Sequence, residues 1–149
     1  RLLILLHHAV RTNEYNLTKE NPMKQHNYPL PPAHPAANTH RRSVFICSPF
    51  AGDIASNTRR AIRYTRFAIT NGYVPFTPHL LYPQVLDEHD PCERELGLHL
   101  GLCWLDRCDE IWVFGSRITA GMERELIKAK RLNMRVRWFT EVCTEITDL

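Results

Sequence analysis

The sequence predicts an α/β fold: a single small doubly wound sheet of parallel strands, flavodoxin- or Rossmann-like, with helices on both faces. From Ser43 onward, short β-branched and aromatic runs alternate with longer stretches of helical periodicity, in the order strand, helix, strand, helix, strand, helix, strand. The connections are short, and with right-handed crossovers they favour a flavodoxin-like strand order. At 149 residues the chain has the size of one compact domain that buries a real core.

Residues 1–42 read as a disordered or extended leader, because "YPLPPAHPAANTH" favours a polyproline-like tether over packed structure. Within it, Met23 is an expected natural start. The folded domain is expected over residues 43–138, with a short tail over 139–149. "SVFIC" (Ser43–Cys47) is the first strand and ends in the turn-forming "SPFAGD". The next helix carries Ala61, Tyr64 and Ala68 on its inner face and stops at Asn71-Gly72. Arg59, Arg63 and Arg66 occupy another face, a solvated surface able to steer anions. "YVPF" (Tyr73–Phe76) is the second strand, and Thr77–Pro91 a long loop. "CERELGLHLGLCWLDRCD" is a helix apolar on two sides, which predicts burial in the fold or against a partner. "EIWVF" is the third strand, Ala120–Asn133 the last helix and "RVRWF" the fourth strand.

Composition excludes several classes. A net charge of +3 is too small and scattered to argue for nucleic-acid binding. No segment is long and apolar enough to span a bilayer, and "RLLILL" is shorter than a secretory core. Five cysteines without a C-x-x-C pair argue against a disulfide framework or zinc ribbon and for buried thiols in a reducing, cytoplasmic setting. The histidines have no ligand spacing, so neither a metal nor a cofactor is expected.

Ligands of such sheets bind beyond the carboxyl ends of the strands, which nominates three loops. The first offers Ser48, Pro49, Phe50, Gly52 and Asp53, a hydroxyl, permissive backbone and an acid ahead of a helix dipole. The second offers His79 beside Pro78. The third, "FGSRITAGMERE", offers Gly115, Ser116, Thr119, Gly121 and Met122. Thr119 suits an N-cap bonded to the Met122 amide. Gly121 then sits in the first helical turn, at a cost of roughly 1 kcal/mol relative to alanine, and leaves the helix entrance open to a ligand. Glu125 borders the apolar stripe Met122–Leu126–Ala129 and tilts back over Gly121, whereas Glu123 falls off that stripe. On geometry alone Glu125 is either a carboxylate of the site or an acid compensating the helix dipole.

The stretch "CDEIWVFGSRITAGMERELIKAKRLNMRV" resembles the closing half of the nucleoside 2-deoxyribosyltransferase-like superfamily: an Asp (Asp109) before an apolar strand, a loop, then Thr119-x-Gly121-x-x-x-Glu125. "SVFICSPFAGD" resembles its first strand and substrate loop. The resemblance covers roughly residues 43–138 and is nearest to phage and bacterial members of unknown function. It implies N-glycosidic chemistry: the glutamate matching Glu125 attacks the anomeric carbon of a 2-deoxynucleoside or its monophosphate, and the covalent deoxyribosyl-enzyme passes to another base or to water. It further implies phosphate binding at Ser48–Gly52 and Thr119–Gly121, and assembly as a homodimer or higher homo-oligomer. Two positions depart from the pattern. Where monophosphate hydrolases carry an Asp before Trp-Leu, this chain has Gly101 before Trp104-Leu105. Where transferases carry an Asp ahead of the glutamate, it has Thr119. The supporting acid is then Asp53, Asp87 or Asp90, or is absent. The expected partner is a small nucleoside or nucleotide, and the function an N-glycosidic hydrolase or deoxyribosyltransferase. The alternatives are a non-catalytic nucleotide-binding or sensing module and an assembly protein seamed by the apolar helix.

Overall fold

The computed structural model describes residues 40–147. The proline-rich leader up to residue 39, with Met23, and the last two residues of the tail lie outside the described residues. Strands β1 (Ser43–Cys47), β2 (Val74–Phe76), β3 (Glu110–Phe114), β4 (Arg135–Phe139) and β5 (Glu145–Ile146) alternate with helices α1 (Ile54–Thr70), α2 (Pro91–Leu105) and α3 (Ala120–Arg131). The sheet order is β2-β1-β3-β4-β5. The first four strands are parallel, while β5 pairs antiparallel with β4 at Trp138↔Ile146 and Phe139↔Glu145. The sheet is therefore mixed, because the segment expected as a tail turns back through Cys143, at φ 65°, and adds an edge strand. Strand β2 begins one residue later than expected. It tolerates Pro75 because an edge strand need not donate on its open side.

Alternation along the central strands sorts the core into two layers. On one face Val44, Ile46, Trp112, Phe114 and Phe139 pack with Tyr64 and Ala68 of α1. Its rings are tightly placed, with Tyr64 stacked on Phe114 at 4.1 Å. On the other face Phe45, Cys47, Ile111 and Val113 meet Leu105 of α2 and Met122 and Ala129 of α3. The amino ends of β1 and β3 are clamped by Asp109, whose Oδ2 accepts from the Ser43 amide (2.6 Å) and hydroxyl (2.9 Å). These bonds hold the Asp109 carboxyl below its ordinary pKa.

Within the chain, helix α2 packs by one of its two apolar sides. Its inner stripe is Gly97, Gly101 and Leu105, while Leu96 and Trp104 are exposed. The glycines allow close approach: a Cβ at Gly97 would sit 3.4 Å from Leu86 Cδ1, and one at Gly101 would sit 3.5 Å from Pro78 Cβ. The loop Thr77–Pro91, read as irregular, holds two short 3-10 turns, Pro78–Leu80 and Tyr82–Gln84. They pack against that glycine stripe. All five cysteines are free, but only Cys47 and Cys143 are buried. Among the described residues no helix is long and apolar enough to cross a membrane.

Candidate active site

A cavity of about 620 Å³ opens beyond the carboxyl ends of β1, β2 and β3, between the β1–α1 loop, the 3-10 turns, α2 and the start of α3. That volume suits a small organic ligand. Pro49, Phe50, Gly52, Asp53, His79, Thr119, Gly121, Met122 and Glu125 all line it. Ser48, Gly115 and Ser116 do not: Ser48 is buried beneath the loop, Gly115 turns toward the side chain of Glu141, and Ser116 is exposed.

The first loop is held from below. Asn57 Nδ2 donates to the carbonyls of Phe50 (2.9 Å) and Ala51 (3.2 Å), and Gly52 turns the chain at φ +97°, where a side chain would be strained. Asp53 caps α1 by accepting from the Ser56 amide at 3.0 Å. His79 lies against this loop. Its Nε2–H donates to the Ser48 carbonyl at 2.8 Å, and its ring stacks on Phe50 at 4.8 Å. Burial lowers the His79 pKa to about 4, so the ring is neutral near pH 7 and Nδ1 is its free acceptor.

The third loop reads closely to its sequence. Thr119 caps α3, with Oγ1 accepting from the Met122 amide at 3.4 Å, and Gly121 is the second helical residue. A Cβ at Gly121 would meet Leu98 Cδ2 at 3.6 Å, ordinary contact, so no steric conflict within the chain demands glycine there. Glu123 is exposed, while Glu125 is buried in line with Met122 and Ala129. Burial raises the Glu125 pKa to about 7, and the neighbouring Cys47 thiol opposes that shift. Its Oε2 has no hydrogen-bond partner among the described residues. A buried carboxylate without a cation is unfavourable, and such groups concentrate at functional sites.

Of the three acids offered as a supporting group, only Asp53 lines the cavity. Asp90 caps α2 through the amides of Cys92 and Glu93, and Asp87 accepts from the His89 amide. Residues passed over in the sequence form the rim: Arg94 pairs with Glu88 at 3.0 Å, Arg60 pairs with Glu141 at 3.8 Å, and Arg117 is exposed beside them. Arg63, placed on a solvated face, donates instead to the Glu141 carbonyl at 2.7 Å. The signal for Arg60 lay in its position one turn inside a helix that starts at the nominated loop.

Among solved structures, a 2-deoxyribosyltransferase from the psychrotolerant bacterium Bacillus psychrosaccharolyticus is similar, at 16% identity, a TM-score of 0.56, and coverage of 70% of this chain and 77% of that one. At that identity the likeness is one of fold. No curated protein matches the chain. A family described as "Domain of unknown function (DUF7768)" matches residues 42–139, two thirds of the sequence, and the chain belongs to that family.

Proposed function

We propose that the protein breaks the N-glycosidic bond of a nucleoside or nucleotide, as a hydrolase or 2-deoxyribosyltransferase, with Glu125 as nucleophile. The observation that carries this reading is a buried carboxylate on the cavity wall, without a cation among the described residues, one helical turn past Gly121 at the carboxyl ends of the strands. The fold shared with a 2-deoxyribosyltransferase supports it. In this mechanism a Glu125 oxygen attacks C1′ as the C1′–N bond breaks, and the base leaves with the electron pair and takes a proton from water. Water or a second base then attacks C1′ and releases the carboxylate. Phe50 and the neutral His79 offer a flat surface for a base, and the amides at the start of α3 offer donors to substrate oxygens. A cytoplasmic, homodimeric enzyme goes with this reading, with the exposed Leu96 and Trp104 of α2 as seam candidates.

A second reading, a nucleotide-binding or sensing module, has one observation in its favour: Gly101 lines the cavity where an acid would serve catalysis. Incubation with deoxynucleosides, their monophosphates and NAD, followed by chromatography for free base, separates the two. Base release abolished by Glu125→Gln supports the enzyme. Saturable binding without release supports the sensor, and neither result for any compound overturns both.

A further inference from the structure

We propose that His79 selects the base: its Nδ1 accepts a hydrogen bond from an exocyclic amino group, so the cavity takes adenine- or cytosine-type bases over their oxo counterparts. The ligand class, a nucleoside or nucleotide, rests on the reading above, whereas the acceptor rests on the geometry of the ring. His79 Nε2 lies 2.8 Å from the Ser48 carbonyl oxygen. A carbonyl oxygen only accepts, so Nε2 carries the ring proton, and Nδ1 of the neutral ring is a bare lone pair. Nδ1 has no hydrogen bond among the described residues and, unlike the Ser48 hydroxyl, is not sealed from open space. His79 lines the cavity, which puts that lone pair within reach of a ligand.

The ring is fixed in position as well as in tautomer. Its 3-10 turn is closed by the Leu80 amide on the Thr77 carbonyl at 3.1 Å, and Pro78 beside it packs on Gly101 of α2. Phe50 stacks on the imidazole with centroids 4.8 Å apart and planes 17° from parallel. That separation exceeds the ~3.5 Å of direct face contact, so the rings are offset and part of the Phe50 face stays uncovered by His79. A base lying in the imidazole plane meets Nδ1 with its edge and Phe50 with its face. Exchange of an amino group for an oxo group keeps size and place but sets a second lone pair against Nδ1. With its one proton committed to Ser48, His79 is an acceptor toward the base and not the acid that protonates it.

The test uses near-isosteric pairs, 2′-deoxyadenosine against 2′-deoxyinosine and 2′-deoxycytidine against 2′-deoxyuridine, each also as its 5′-monophosphate. Calorimetry gives Kd for Glu125→Gln, expected to hold these compounds uncleaved, and for Glu125→Gln with His79→Phe, which keeps a ring against Phe50 but removes the acceptor. The amino member of at least one pair should bind about tenfold tighter, and that preference should vanish with His79→Phe. Should His79→Phe not fold, 15N NMR of the His79 ring reads the same contact. Nδ1 should be unprotonated at pH 7, and its resonance should move with the amino compound and not with its oxo partner. Equal binding within both pairs, a preference that survives His79→Phe, or a protonated Nδ1 overturns the proposal. An amino preference without base release from wild type defeats the glycosidase reading and leaves the recognition standing. Base release from both members of each pair at equal kcat/KM does the reverse, and binding of none of the eight compounds overturns both.

Discussion

Glu110 and Glu125 are both buried carboxylates, 0% and 5% exposed, at opposite ends of the sheet. Glu110 opens β3 at the amino end, on the aromatic face. Its Oε2 accepts from Trp112 Nε1 at 3.1 Å, and Arg42 approaches Oε1 at 3.6 Å. Arg137 lies over the same Trp112 ring at 4.7 Å, adding positive charge to that end. Glu125 stands at the carboxyl end with a thiol as its polar neighbour and no cation pairing with it among the described residues. At the amino end one carboxylate oxygen is hydrogen-bonded, and the other, without a hydrogen bond among the described residues, has a cation 3.6 Å away. The carboxyl end leaves its carboxylate short of partners on the wall of a cavity. Charge balance, more than burial, separates a structural glutamate from one available for chemistry.

The sharpest way to break this contrast is to neutralise each carboxylate in turn. Glu125→Gln should lower the rate of base release by a factor on the order of 10³ or more, the scale of removing a nucleophile. Glu110→Gln should leave that rate near wild type, and comparable losses from both would erase the distinction. Next in size is stability: Glu110→Ala strands the buried Trp112 N–H and leaves a cavity, and should cost about 2 kcal/mol in urea unfolding.

Stability should also depend on pH through the carboxyl end. The folded pKa of Glu125, about 7, lies above its ordinary 4.5, so its proton stabilises the fold at low pH and that contribution is lost as pH rises from 4.5 through 7. Glu125→Gln should therefore match wild type in stability near pH 4 and exceed it by on the order of 2 kcal/mol at pH 8. The rate should rise over the same interval as the nucleophile ionises. A stability gap independent of pH would mean that Glu125 is not held protonated by burial. The smallest effect is expected at Gly121. Alanine meets only Leu98 at ordinary contact distance, so Gly121→Ala should raise stability by about 0.5 kcal/mol while raising KM. Unchanged KM would show that the glycine does not serve the ligand.

The carboxyl end was readable because its signals are local. Thr119 as cap, Gly121 in the first turn and the phase that separates Glu125 from Glu123 all follow from helical spacing within seven residues, and each is found in place. The amino-end network was not readable. Glu110 precedes an apolar strand and looks like a boundary residue, and only the parallel pairing of β3 with β1 and β4 brings Arg42 and Arg137 toward it. The cavity rim failed for the same reason, since Arg60, Arg94 and Glu141 come from three segments distant in sequence. In helix α2 leucine spacing reports apolar faces but not which face packs within the chain, and here two glycines make that contact. Strand β5, two residues long, carries too little pattern to be seen before its partner is known.

The most direct test of the account is intact-mass and peptide analysis of protein quenched during turnover of a nucleoside or nucleotide substrate. A glycosyl adduct on Glu125, absent in Glu125→Gln and present in Glu110→Gln, is the predicted result. Turnover with the adduct on another residue, or turnover that persists in Glu125→Gln, would contradict it.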